Sequence, residues 1–135
     1  MTIDEILALL RGGFAGWDET GAVIEAAEYR KSRLRMGVSD RSIRPGGTVS
    51  GPTMFMLADT AIYVAVLASV GPEALAVTTS MSINFLRKPA PKDIIADCRL
   101  LKLGKRLAVG DVAIWSDGEN EPVAHATGTY SIPPA

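Results

Sequence analysis

A single carboxylate stands within twenty residues of otherwise uncharged chain. Between Gly51 and Val70 the only residue charged at neutral pH is Asp59, set among Met54, Phe55, Leu57, Ile62, Val64, Val66 and Leu67. Read as a helix, this stretch is apolar on every side, the pattern of a helix enclosed by protein. A carboxylate there loses hydration and needs donors or cations to hold it. Folding gains nothing evident from placing it there, so proton transfer or nucleophilic attack is the first task to consider. The plainer alternative is an aspartate that hydrogen-bonds neighbouring backbone or hydroxyl groups.

Other chemistries have less to draw on. Gly47-Thr48-Val49-Ser50-Gly51 is not a nucleophile elbow, because its serine comes one place too late. A Ser-His-Asp triad would have to use His125, the one histidine. His125 shares a strand face with Thr127 and Thr129, which suits a surface or interface side chain. One histidine and one cysteine (Cys98) do not build a common zinc site, and no metal is assigned. Gly46-Gly47 and Gly51 lack the lysine and the strand-turn-helix setting of a phosphate loop.

The chain has 135 residues, 47% hydrophobic and 21% charged, with a formal net charge of −1. That length suits a single domain over residues 1–135. The charge leaves no basic footprint for nucleic acid and no polybasic patch for anionic lipid. An acidic start, Asp4-Glu5, and a lone cysteine make the cytoplasm the expected compartment. The segment at 51–70 has the length of a membrane span. Its central Asp59, its flanking Gly-Pro pairs and its lack of Lys or Arg anchors favour a core helix instead.

The positioning elements follow from periodicity. Thr2 caps a short amphipathic helix over about 2–12, with Ile3, Ile6, Leu7 and Leu10 on one side and Gly12-Gly13 at its end. Residues 21–27 and 29–38 read as strands, the second carrying Arg30, Lys31, Arg33 and Arg35. A loop from Ser39 to Ser50 leads to the central helix, with Pro52 in its first turn and Gly71-Pro72 as its stop. Val77, Thr79, Met81, Ile83 and Phe85 alternate with polar residues, and strands follow over 93–103, 105–115 and 121–132. In the last strand Ala124, Ala126, Gly128 and Tyr130 form an inner face small enough for a bulky helix to approach. The expected fold is α+β, an antiparallel sheet wrapped around one long hydrophobic helix.

Leu57-Ala58-Asp59-Thr60-Ala61, then Ser82-Ile83-Asn84-Phe85-Leu86-Arg87, then Leu103-Gly104-Lys105-Arg106 resemble the hotdog-fold acyl-CoA thioesterases. The likeness is to the phenylacetate-pathway (PaaI-type) and 4-hydroxybenzoyl-CoA thioesterase-like branch, and it covers about residues 20–132. It implies hydrolysis of the thioester of a small or aromatic acyl-CoA with Asp59 as general base or nucleophile, and a backbone N–H at the helix start polarising the carbonyl. The family's His-Gly-Gly stands here as Ser50-Gly51-Pro52. Pro52 has no N–H to donate, whereas Gly51 keeps one. Where some relatives have an upstream Asn, this chain has Arg44.

Asp59 lies eight residues after Gly51, about 12 Å along a helix, too far for one helix to grip both ends of a small reacting group. The resemblance implies a homodimer or dimer of dimers whose sites draw the two residues from different subunits. Thr78 or Thr79 would position water across that interface, or be ordinary strand residues. Arg87, Lys88, Lys105 and Arg106 would meet coenzyme A phosphates, or serve as solvated turn charges. Met54, Phe55 and Tyr63 would line the acyl space, or belong to plain core. No cofactor is implied beyond the coenzyme A of the substrate. The rival from another class is a non-catalytic hotdog protein that binds acyl-CoA as sensor or carrier. A hotdog hydratase would need an Asp/His pair, and nothing in the sequence places His125 beside an aspartate.

Overall fold

The computed structural model describes residues 1–37, 43–44, 48–73 and 75–134, with the side chains of Ile43, Arg44 and Thr48 excepted. The stretch containing Pro45-Gly46-Gly47, the Arg44 side chain and Val38 therefore lie outside the described residues.

Helix α1 spans Ile3–Gly13. Its Thr2 cap and Glu5 close a capping box, satisfying two orphan N–H groups. A 3₁₀ turn, Asp18–Thr20, leads into strands β1 (Ala22–Glu28) and β2 (Lys31–Met36). Two short strands, β3 (Ile43–Arg44) and β4 (Thr48–Val49), pair antiparallel within what the sequence presents as a loop. Two residues are too few to show a period. Helix α2 then runs Gly51–Val70, followed by β5 (Val77–Phe85), β6 (Ile94–Leu103), β7 (Leu107–Ser116) and β8 (Ala124–Ser131).

Six strands make one sheet in the order β1-β2-β6-β7-β8-β5, with every neighbouring pair antiparallel. This is the hotdog architecture, the sheet curling around α2. The helix buries Leu57, Ala58, Ala61, Ile62, Val64, Ala65, Val66 and Leu67 completely. It is apolar and long enough to cross a membrane, but here it is the core helix. The small inner face of β8 has the consequence expected of it. A Cβ added at Gly128 would stand 2.7 Å from Ile62 Cδ1, and one at Gly110 of β7 3.0 Å from Ile62 Cγ1. Ser32 of β2 locks the far side by donating to the Ala61 carbonyl at 2.6 Å.

In two places the surface is not what a lone globule would keep. The helix is not enclosed on every side: Phe55 is 39% exposed, and Met56, Asp59 and Tyr63 are half-buried along the face the sheet leaves open. Edge strand β5 buries none of its nine residues, and Val77, Phe85 and the following Leu86 are about half exposed. A long edge carrying apolar side chains is a pairing surface unless something covers it.

Candidate active site

Asp59 finds its donors on two strands. Thr78 of β5 donates through Oγ1 to Asp59 Oδ1 at 2.7 Å. Tyr130 of β8 donates to the same oxygen at 2.8 Å, and its hydroxyl also lies 3.1 Å from the Asp59 carbonyl. Both bonds fall on Oδ1, and Asp59 itself borders a recess. Tyr130 is buried and stacks on Tyr63 with ring centroids 5.9 Å apart. Burial, and then the Asp59 charge, push the Tyr130 phenol well above its ordinary value, so it remains a donor at any physiological pH.

The sequence leaves Thr78 and Thr79 as equal candidates, and a register shift between Thr78 and Ser80 separates them. Thr78 turns to Asp59, while Thr79 bonds the Thr129 carbonyl at 3.3 Å. Tyr130 was readable only as an inner-face residue of the last strand; its role depends on the β5–β8 register bringing it level with Thr78. These side chains border a recess of about 420 Å³, whose other walls include Leu9, Gly13, Phe14 and Tyr63.

The helix start lies in a different recess, of about 590 Å³, shared by Ser50, Gly51, Met54, Phe85, Arg87 and Lys88. Ser50 is the N-cap of α2: its Oγ accepts from the Thr53 N–H at 3.3 Å and lies 2.7 Å from the Thr53 hydroxyl. The position of the family's histidine is thus taken by a helix cap. The Phe85 ring lies so close to Gly51 that an added Cβ would stand 3.2 Å from it. The sequence reading had not singled out Phe85 as a site residue; only the packing of β5 against the helix start shows it.

The remaining candidates divide. Met54 is buried core that reaches the Gly51 recess. Phe55 borders neither recess and points outward from α2. Arg87 is held by the Pro122 carbonyl and Glu121. Lys105 and Arg106 are exposed in the β6–β7 turn. Ser131 pairs with both Leu107 and Val77, so this turn and the Asp59 end of β5 share one end of the sheet.

His125 requires a correction. Its Nε2 pairs with Asp111 of β7, which also takes Arg99 at 3.4 Å. The partners lie far apart in sequence and meet only through strand pairing. The pair sits on the outer sheet face, opposite the helix, and borders neither recess described above. Cys98 is buried, and burial pushes its thiol up to about 12, which leaves it inert as a nucleophile.

Known proteins align with this picture. The family model for the thioesterase superfamily matches residues 46–123. A candidate esterase of Saccharolobus solfataricus is 30% identical over 112 residues, covering 83% of this chain and 73% of that protein. The crystal structure of a candidate thioesterase from Silicibacter sp. TM1040 superposes with a TM-score of 0.89 at 47% identity, covering 99% of this chain and 93% of the other. The PaaI protein of the E. coli phenylacetic acid degradation operon shares the fold, with a TM-score of 0.84 at 22% identity over 97% of this chain and 93% of its own. With its long core helix, its wrapped antiparallel sheet and a family match over more than half its length, the chain belongs to the thioesterase superfamily.

Proposed function

We propose that this protein hydrolyses acyl-CoA thioesters, with Asp59 as the general base. The observation that carries the reading is the pair of donors from Thr78 and Tyr130 to one Asp59 oxygen, at the border of a recess large enough for an acyl group. A carboxylate held in this way accepts a proton from water through Oδ2. The water oxygen bonds to the thioester carbon, the carbonyl becomes an oxyanion, and collapse breaks the C–S bond. The departing thiolate recovers the proton. The reaction as written needs no cofactor, and coenzyme A enters as part of the substrate.

The oxyanion donor comes from a second subunit. Strand β5 is about 26 Å long and runs from the Asp59 recess at Val77 to the Gly51 recess at Phe85. Antiparallel pairing of this bare edge with its own copy sets the start of one strand against the end of the other. Asp59 then faces Gly51 of the partner subunit, at a helix N-terminus whose N–H groups and dipole favour developing negative charge. The same pairing gathers Lys105 and Arg106 with the partner's Arg87 and the partner's Lys88, a basic mouth for the coenzyme A phosphates. A homodimer, alone or as half of a tetramer, is therefore the working unit, and the cytoplasm, which holds acyl-CoA, is its place.

The test is free-thiol release from a panel of acyl-CoAs by wild type and Asp59→Asn. Turnover by wild type, reduced about a hundredfold or more in the variant, supports the reading. Tight acyl-CoA binding without thiol release by either protein replaces it with an acyl-CoA sensor or carrier.

A further inference from the structure

The recess above Asp59 is walled on one side by a segment outside the matched family region. Leu9 and Gly13 of α1, with Phe14 just after it, face Tyr63 of α2 and Val77 of β5 across the opening. Among the described residues, Asp59 is the only charged one that lines it. Helix α1 is fastened there rather than loosely apposed: Ile6 and Leu10 are buried in the core, and the Phe14 ring meets the buried Trp17 edge-on at 5.8 Å. We infer that this α1-walled recess is the acyl-binding pocket, and that it selects uncharged, apolar acyl groups of medium length.

Three features determine the ligand chemistry. Thr60, Thr78 and the tyrosine hydroxyls make the Asp59 end polar, while Leu9, Leu10, Phe14, Ala76 and Val77 make the rest aliphatic and aromatic, so each methylene that enters there improves binding by about fourfold at most. Among its described lining residues the one fixed charge is negative, and Lys105 and Arg106 at the mouth do not line it. An acyl group ending in its own carboxylate would therefore be desolvated beside Asp59 with nothing to pair with. A volume of about 420 Å³ leaves an acetyl group little to fill, whereas an octanoyl or phenylacetyl group reaches the α1 wall. Gly13 provides a handle on this wall, because a Cβ built there has no atom within 4 Å.

The inference rests on the thioesterase reading, and the test separates the two. kcat/KM is measured for acetyl-, octanoyl-, phenylacetyl- and succinyl-CoA with wild type and Gly13→Phe, and binding of a non-hydrolysable octanoyl-CoA thioether is measured in parallel. The expected result is octanoyl and phenylacetyl above acetyl by about a hundredfold, allowing for incomplete burial, with succinyl lowest. In Gly13→Phe the octanoyl-to-acetyl ratio falls about tenfold or more, and Leu9→Ala moves it the other way. Thioester hydrolysis with no length preference, or a ratio indifferent to both substitutions, overturns the pocket and leaves the thioesterase standing. If no substrate turns over but the thioether binds and Gly13→Phe weakens it, the pocket is supported and the hydrolytic reading fails. If the thioether does not bind either, both fail.

Discussion

The Tyr130 hydroxyl lies 2.8 Å from Asp59 Oδ1 and 3.1 Å from the Asp59 carbonyl, so one buried phenol fixes both the side chain and the backbone of the same residue. The two residues are 71 positions apart in the chain. Tyr130 is a positioning residue in this account: it need not touch substrate, but it decides which carboxylate oxygen does. Tyr130→Phe is expected to lower kcat about tenfold with little change in KM, since the loss falls on the reacting geometry. A fall in kcat accompanied by an equal rise in KM or by general unfolding would reduce Tyr130 to a core residue.

Thr78 and Thr79 are adjacent, yet only Thr78 reaches Asp59. Thr78→Ala should cost about 1.5–3 kcal/mol of transition-state stabilisation, the worth of a hydrogen bond to a charged group. Thr79→Ala should stay within about threefold of wild type, with Thr78→Ser restoring most of the lost activity. Equal losses at the two positions would contradict this assignment.

Gly128 faces Ile62 with no room for a methyl group. Gly128→Ala is expected to destabilise the fold by about 1–3 kcal/mol through overpacking. Because the clash is with the Ile62 side chain, Ile62→Val in the same molecule should recover part of the loss. Denaturant unfolding of the three variants checks this, and additive losses would mean that the strain is taken up elsewhere.

Two buried acids make the fold sensitive to alkali. Burial raises Cys98 from 9.0 to about 12 and raises Tyr130 from its ordinary 10.0. The folded state therefore holds protons that the unfolded chain has released, and stability falls as pH rises. The loss should begin near pH 9 and steepen above 10, with full stability below that window. Cys98→Ala should flatten the first part of the curve, and Tyr130→Phe the second. Stability unchanged between pH 9 and 11 would contradict the burial of both groups.

The central helix and the strand after it were legible because their patterns are extreme: twenty residues with one charge, then a clean alternation from Val77 to Phe85. The last strand's inner face was legible for the same reason, down to the close approach at Gly128. What stayed hidden depends on register. Tyr130 reaches Asp59, and Asp111 reaches His125, only because strands distant in sequence pair at particular residues. The enclosure of α2 is less complete than its sequence implies: apolarity on every side foretells cover, but the described residues leave Phe55 exposed and Tyr63 half-buried. The identity of Ser50 as a helix cap is likewise local geometry that a motif comparison does not contain.

The account stands or falls on a site shared between subunits, and subunit mixing tests it most directly. Asp59→Asn removes the base. Gly51→Pro removes the oxyanion N–H at the first helical position, where proline is otherwise well tolerated, and the half-exposed Phe85 can swing aside. Each variant alone should be nearly inactive. After they are unfolded and refolded together, half the dimers are mixed, and each mixed dimer holds one intact site. Activity should return to about a quarter of wild type, as two-fold symmetry requires. Activity that stays at the sum of the two separate variants would show that Asp59 and Gly51 do not act across the β5 edge, and would contradict the proposed site.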